Sequence, residues 1–408
     1  CSLMKLGVAG IFGTQSDVTS MHVQSICDAL DIPHVEARWD FQLQRQRLPI
    51  NLFPRPAMLG KAYVDLVRIW GWTEFCLVYE ESEGVIRLQD FFKEAQKYGW
   101  RLHLYQFKSG EAYRDLFWKI KVAGDNRIVL DVKRENIYTV LKHAQQVGMM
   151  TENHSYLITS LDVHTVDLED FKYGKSNITA FRIVDMGSPE LQSLFDEWSQ
   201  FSVFGRKTQT HQRTIKTQTA LIYDAVKLFA KALADFDTSK TVVFPPIFCE
   251  SGEPSEDAIG TSIRNLMKLI KIQGLTGEVK FDQQGYRSEF HLDLLFLSQD
   301  GFKKIGGWHS SYGINITLNA TSEYNSLLLQ NKSLIVTTVI NPPYTMLKDS
   351  AQLLSGNDRY EGYCVDLIFE LSRQLGFKYR FKLVEDNAYG IKNDKGEWNG
   401  MIGELIRG

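Results

Sequence analysis

From residue 5 to residue 159 the chain alternates short apolar runs with amphipathic stretches, and this alternation constrains its fold more than any other feature. Extended runs are expected at 5–12, 32–38, 74–79, 101–107, 127–132 and 156–159. Between them, apolar residues recur at helical spacing over 18–30, 57–69, 85–98, 112–122 and 136–147. Gly99 and Gly148 stand where two of these helices would end in left-handed caps. A further strand is expected at 178–184, and further helices at 189–201 and 217–234. Strands that alternate with helices imply parallel sheets covered on both faces by crossover helices. The expected fold class is therefore α/β, with two lobes forming a clamshell around a cleft.

Residues 333–408 start this pattern again. A β-rich run from Ser333 to Ile340 is stopped by Asn341-Pro342-Pro343, because two prolines can neither donate to a ladder nor enter a helix. A polar stretch, a helix over 363–375 ended by Gly376, a strand over 378–384 and a turn over 385–390 follow. Strand, helix, strand is half of a doubly wound lobe, which binds small ligands in the loops at the carboxyl ends of its strands.

Length and composition narrow the class. At 408 residues the chain suggests two or three folding units. A net charge of −3 with 23% charged residues gives no basic patch for nucleic acid. With 44% apolar and 12% aromatic residues, disorder is excluded. There is no run of 18 apolar residues and no secretory leader at the start; both absences fit a segment from the outside of a longer membrane protein and equally a cytosolic protein. Glycosylation sequons favour the former. They occur at Asn153, Asn177, Asn315, Asn319 and Asn331, where chance would give about two, and three of them crowd into the stretch from Asn315 to Ser333, as in a glycosylated linker.

The five cysteines and nine histidines form no Cys-X-X-Cys or His-X-X-X-His pair, so no zinc site is expected. Cys27, Cys76 and Cys364 read as buried free thiols, whereas Cys249 lies in a loop with Pro245 and Pro246. Ser16 or Asp17 is expected to cap the helix that follows Gly13. Asp162, His164 and Asp167 read as a satisfied surface loop, and Asp224 and the acidic run over 250–256 as solvated faces. Nothing in these patterns supports an enzyme, a metal or a cofactor.

The wording of the last stretch is more specific than its pattern. Leu334-Ile335-Val336-Thr337-Thr338, Pro343-Tyr344, the run from Gly356 to Leu367, Val384-Glu385-Asp386 with Tyr389-Gly390, and Trp398-Asn399-Gly400-Met401 with Gly403-Glu404-Leu405 occur in this order. Together they resemble the first segment of the agonist-binding domain of ionotropic glutamate receptors, and the Val-Glu-Asp spelling resembles the kainate-type subunits. Upstream, Val23-Gln24-Ser25-Ile26-Cys27, Gly148-Met149-Met150-Thr151-Glu152, Gly274-Leu275-Thr276-Gly277 and Lys304-Ile305-Gly306-Gly307-Trp308 are similar to the amino-terminal domain of the same family.

The resemblance implies a bilobed periplasmic-binding-protein-like clamshell of type I over 1–312, lacking its first strand–helix–strand unit. A glycosylated linker over 313–332 would lead into an incomplete type II domain over 333–408. It implies a disulfide between Cys1 and Cys249. It assigns Tyr389 to the ligand, packed over the agonist, and Asn341, where relatives carry Glu, to a bridge across the cleft. It also implies a glutamate-gated cation channel subunit on the extracellular side of the plasma membrane, at the postsynaptic membrane. In such a subunit the large domain assembles subunits into a dimer of dimers and binds no glutamate, while L-glutamate binds only the complete smaller domain, and the membrane is reached through segments outside this chain. The alternative is a binding protein or receptor ectodomain that captures an amino acid in the large clamshell; a pure adhesion or assembly module is contained in the first reading.

Overall fold

The computed structural model describes residues 7–14, 16–40, 49–107, 112–174, 176–201, 213–238, 259–283, 285–317, 333–392 and 396–407. The chain divides into two compact units, Cys1–Leu66 with Trp72–Leu318, and Val67–Gly71 with Asn319–Gly408.

The first unit begins with β1 (Ile11–Phe12), α1 (Asp17–Ala29), β2 (His34–Glu36), β3 (Ile50–Pro54) and α2 (Pro56–Ile69). It continues through β4 (Glu74–Tyr79), α3 (Gly84–Arg87), α4 (Gln89–Tyr98), β5 (Arg101–Gln106), α5 (Tyr113–Ala123), β6 (Arg127–Asp131), α6 (Ile137–Val147), β7 (Ser155–Ile158) and β8 (Asn177–Arg182). The helices α7 (Pro189–Phe201), α8 (Thr217–Asp237) and α9 (Ile259–Leu269) come next, then β9 (Ile272–Gly274), β10 (Gly277–Val279), β11 (Tyr286–Arg287), β12 (His291–Ser298), β13 (Gly301–His309) and β14 (Gly313–Ile316).

These strands make two principal sheets and hence two lobes. In the first, β1, β2, β3 and β11 lie parallel in that order, and Val35, Ile50 and Leu52 pack against Leu221, Leu228 and Ile263 of α8 and α9. In the second, eight strands run in the order β14-β13-β12-β8-β7-β6-β4-β5. Its β4 to β8 part is parallel, and Ile128, Leu130 and Tyr156 pack against Phe117, Ile120 and Leu141 of α5 and α6. The parallel, helix-covered lobes expected from the alternation are thus present. Helices α4 and α6 end at Gly99 and Gly148, whose φ angles of 66° and 80° lie in the left-handed region.

Three expectations are corrected. The helix read over 85–98 is two helices, because Leu88 (φ −95°, ψ 3°) leaves the helical region between α3 and α4. The linker does not start at 313: β14 pairs antiparallel with β13, Gly313 opposite His309 and Ile316 opposite Gly306, so the first unit extends through it. Asp224 is not on a solvated face. It is fully buried on α8 and accepts hydrogen bonds from the backbone of Leu275 (2.7 Å) and Thr276 (3.0 Å) and from the Thr276 hydroxyl (2.5 Å). Asp162 lies in a satisfied loop, as expected: its carboxylate accepts from the Thr217 amide at 2.7 Å, at the start of α8. Nearby, His164 Nε2 lies 3.1 Å from the Ile215 carbonyl, while Asp167 accepts from the Glu169 amide at 3.0 Å.

Ser16 holds the N-cap position of α1 with extended backbone, yet among the described residues its side chain makes no capping bond. Cys27 and Cys76 are buried, as expected; Cys364 is only half-buried. Cys1, Cys249, the acidic run over 250–256, Asn319 and Asn331 lie outside the described residues. Asn153 and Asn315 are exposed, whereas Asn177 opens β8 at 8% exposure with its amide 3.4 Å from the Ser155 hydroxyl.

The second unit contains β15 (Ser333–Thr338), β16 (Met346–Leu347), β17 (Tyr360–Glu361), α10 (Tyr363–Leu375), β18 (Lys378–Leu383) and α11 (Gly400–Arg407). The strands β15 and β18 run parallel, from Ser333 opposite Lys378 to Thr338 opposite Leu383. Asn357 saturates β18 from the side: its amide donates to Tyr379 O (2.7 Å) and its carbonyl accepts from Phe381 N (2.9 Å). Helix α10 is capped by the proline turn, with Tyr363 N donating to Pro343 O (3.2 Å) and Cys364 N to Tyr344 O (2.8 Å), so two otherwise orphaned amides are satisfied.

Candidate functional site

The carboxyl ends of β15 and β18 lie side by side, and the two loops that leave them form the candidate site. After β15, residues 341–345 fold into a tight turn. Asn341 N donates to Thr345 O (2.9 Å), and Asn341 O accepts from Tyr344 N (2.8 Å) and Thr345 N (3.1 Å). After β18, the loop is tied at both ends to the start of α11. Asp386 accepts from Ala388 N (3.2 Å) and Gly400 N (2.9 Å), while Met401 N donates to Ala388 O (3.0 Å) and Ile402 N to Tyr389 O (3.2 Å).

This second loop explains the Trp-Asn-Gly-Met spelling. Gly400 has φ 61°, and a Cβ there would lie 2.3 Å from Ala388 O, so only glycine admits the close approach. Asn399 Oδ1 accepts from Ile391 N at 2.5 Å, which fixes the far side of the loop. Glu404 of α11 accepts from the Thr337 hydroxyl (3.1 Å) and pairs with Lys382 (3.2 Å), locking the helix to both strands.

The two residues expected to serve the ligand are brought together. Tyr389 is 57% exposed, and its phenol oxygen accepts a hydrogen bond from the Asn341 amide. Asn341 is thus engaged within its own unit. Asp386 and Asn399, which build the loop, were named in the sequence only as parts of family motifs and given no role; the signal for that role is an Asx residue beside a turn.

The first unit has an open cleft of about 410 Å3 between its lobes. Trp39 and Phe53 line it from the first lobe, and Glu81, Arg87, Asp131 and Lys133 from the second, together with Tyr63, whose hydroxyl donates to Thr159 O at 2.6 Å. Its cations are already matched. Arg87 binds Asp131 through Nε and a terminal nitrogen (3.0 and 2.8 Å), Lys133 meets Glu81 at 2.8 Å, and Arg38 lies 3.4 Å from Glu36. The hydrogen bond from Lys133 holds the Glu81 carboxyl below its ordinary range. Among the described residues there is no cluster of His, Cys, Asp and Glu fit to hold a metal, and no helix long and apolar enough to cross a membrane.

Comparison with known proteins agrees with this division. Residues 1–300 match a family model described as the receptor family ligand binding region, and residues 332–408 one described as the ligated ion channel L-glutamate- and glycine-binding site. The fold and these matches therefore define a receptor ligand-binding region followed by a segment of the ligated-ion-channel ligand-site family. Over 415 residues the chain is 38% identical to glutamate receptor ionotropic, kainate 1 of Mus musculus, covering 100% of this chain and 49% of the relative. It is 36% identical over 430 residues to the proteins of the same name from Homo sapiens and Rattus norvegicus, again covering 100% of this chain, and 46% and 45% of theirs. The chain belongs to the kainate-type ionotropic glutamate receptors, and it spans about half the length of these curated relatives.

Proposed function

We propose that this chain is extracellular and forms the ligand-binding side of a glutamate-gated cation channel subunit at the postsynaptic plasma membrane. The observation that carries this reading is the pairing of Tyr389 with Asn341 at the carboxyl ends of β15 and β18, where an α/β lobe takes its ligand. An α-amino acid needs a cation for its carboxylate, acceptors for its ammonium and a wall for its body. Tyr389 supplies the wall; the cation and the second lobe come from the rest of the receptor. Glutamate then favours the closed form of the two lobes, and this preference opens the pore.

In the same reading the first unit, now taken through β14, assembles subunits into dimers and tetramers and does not respond to glutamate. The prior pairing of Arg38, Arg87 and Lys133 supports this, because a ligand carboxylate would have to displace an existing partner. The test is radiolabelled-glutamate binding. Residues 1–408 alone should bind none, the complete receptor should bind saturably, and Tyr389→Ala in the complete receptor should abolish binding. Saturable binding to 1–408 would move the site to the large clamshell.

A further inference from the structure

We propose that Asn341 is a positioning residue that acts through Tyr389, pinning the aromatic wall of the ligand site before any ligand arrives. This rests on the reading of the β15–β18 loops as the agonist site, and it gives Asn341 a role other than a bridge to a second lobe.

The geometry makes one half of the contact rigid by itself. The Asn341 backbone is held at both its amide and its carbonyl by the 341–345 turn. Its side chain therefore projects from a fixed point. The Tyr389 backbone is held through its carbonyl by Ile402, but the residue is 57% exposed. The Asn341 amide holds its ring by donating to the phenol oxygen. The bond joins the loop after β15 to the loop after β18.

Two consequences follow. A ring already fixed loses less rotamer freedom when a ligand packs beneath it, so the bond raises affinity without touching the ligand. Because the amide is the donor, the phenol keeps its own hydrogen, which a water can accept.

The experiment is a double-mutant cycle on glutamate binding by the complete receptor. Tyr389→Phe keeps the ring and removes the acceptor; Asn341→Ala removes the donor. Each should weaken binding about fivefold, as for loss of one neutral hydrogen bond, and the double variant should also be about fivefold weaker. Asn341→Asp should restore binding to near the original, because the phenol can then donate to the carboxylate. Effects that multiply to about 25-fold, or an Asn341→Ala variant equal to the wild type, would overturn the proposal. Hydrogen exchange over residues 386–391 in the ligand-free receptor gives an independent reading. It should rise equally in Asn341→Ala and Tyr389→Phe and return in Asn341→Asp; unchanged exchange refutes the role. If the wild-type receptor bound no glutamate, the proposed function would fall, while the exchange measurement would still decide the role of Asn341.

Discussion

Asp224 accepts both the backbone amide and the hydroxyl of Thr276, at 3.0 and 2.5 Å, with no solvent reaching the carboxylate. Thr276 in turn accepts from the fully buried Arg287, whose guanidinium also donates to Thr276 O (2.7 Å) and Glu278 O (2.8 Å). Burial pushes the Asp224 carboxyl up from its ordinary value and the Arg287 guanidinium down to about 10. The carboxylate thus joins α8 to the β9–β10 turn and balances a buried cation.

Asp224→Ala should accordingly destabilise the first unit by about 3–5 kcal/mol, since it removes three hydrogen bonds and leaves the buried Arg287 with only Glu278 as a nearby carboxylate. Asp224→Asn, which keeps an acceptor, should cost less. Denaturant midpoints of the two variants give the comparison, and equal midpoints for Asp224→Ala and wild type would contradict it.

His164 gives a pH dependence. Burial first, and the Arg182 guanidinium second, push its imidazole down from 6.5 to about 4. The unfolded chain therefore binds a proton that the folded one refuses. The stability from this group is fully present above about pH 6.5 and is lost as pH falls toward 4, to a total of about 3 kcal/mol at most. In thermal unfolding between pH 7 and 4, His164→Gln should show a shallower decline than the wild type. Parallel curves would show that the histidine does not titrate in this way.

Gly400→Ala should disturb the loop that follows β18. The added Cβ meets Ala388 O at 2.3 Å in a backbone conformation with φ 61°. A loss of about 1–2 kcal/mol of stability is expected, together with weaker glutamate binding by the complete receptor, because Ala388 precedes Tyr389. Binding that survives with unchanged affinity would place the loop outside the ligand site.

Cys1 and Cys249 should form a disulfide in the complete, unreduced receptor, closing a long loop and contributing a few kcal/mol. Non-reducing peptide mapping should recover the two peptides linked. Recovery of either cysteine in another pair would reject the assignment.

The parallel lobes were legible because each strand and helix repeats one hydrophobic period, and Gly99 and Gly148 mark real ends. Asp224 was misread by residue type alone. Its position was in view, since Thr217, Ala220, Leu221, Asp224, Ala225 and Leu228 form one buried stripe of α8. The antiparallel extension β12–β14 was not anticipated. Its apolar run from Leu292 to Leu297 has no helix after it, and nothing local says which neighbour it joins. Tyr389 and Asn341 were both reached through the wording of a family, but their pairing was not: only the turn at 341–345 and the tie between Ala388 and Met401 bring that ring to the Asn341 amide.

The pairing of β14 also has a mechanical meaning. Along the chain, β14 is where the first unit is left, and it is held at the edge of the eight-stranded sheet by the four pairs from Gly313–His309 to Ile316–Gly306, followed by a bond from Thr317 N to Ile305 O at 3.1 Å. Tension applied from beyond Thr317 reaches the domain through this short ladder. Pulled along the strand, the bonds share the load in shear; pulled sideways, they open one after another from Thr317 inward. The edge strand is therefore a candidate weak link under force, and the direction of pull would decide at what load it gives way.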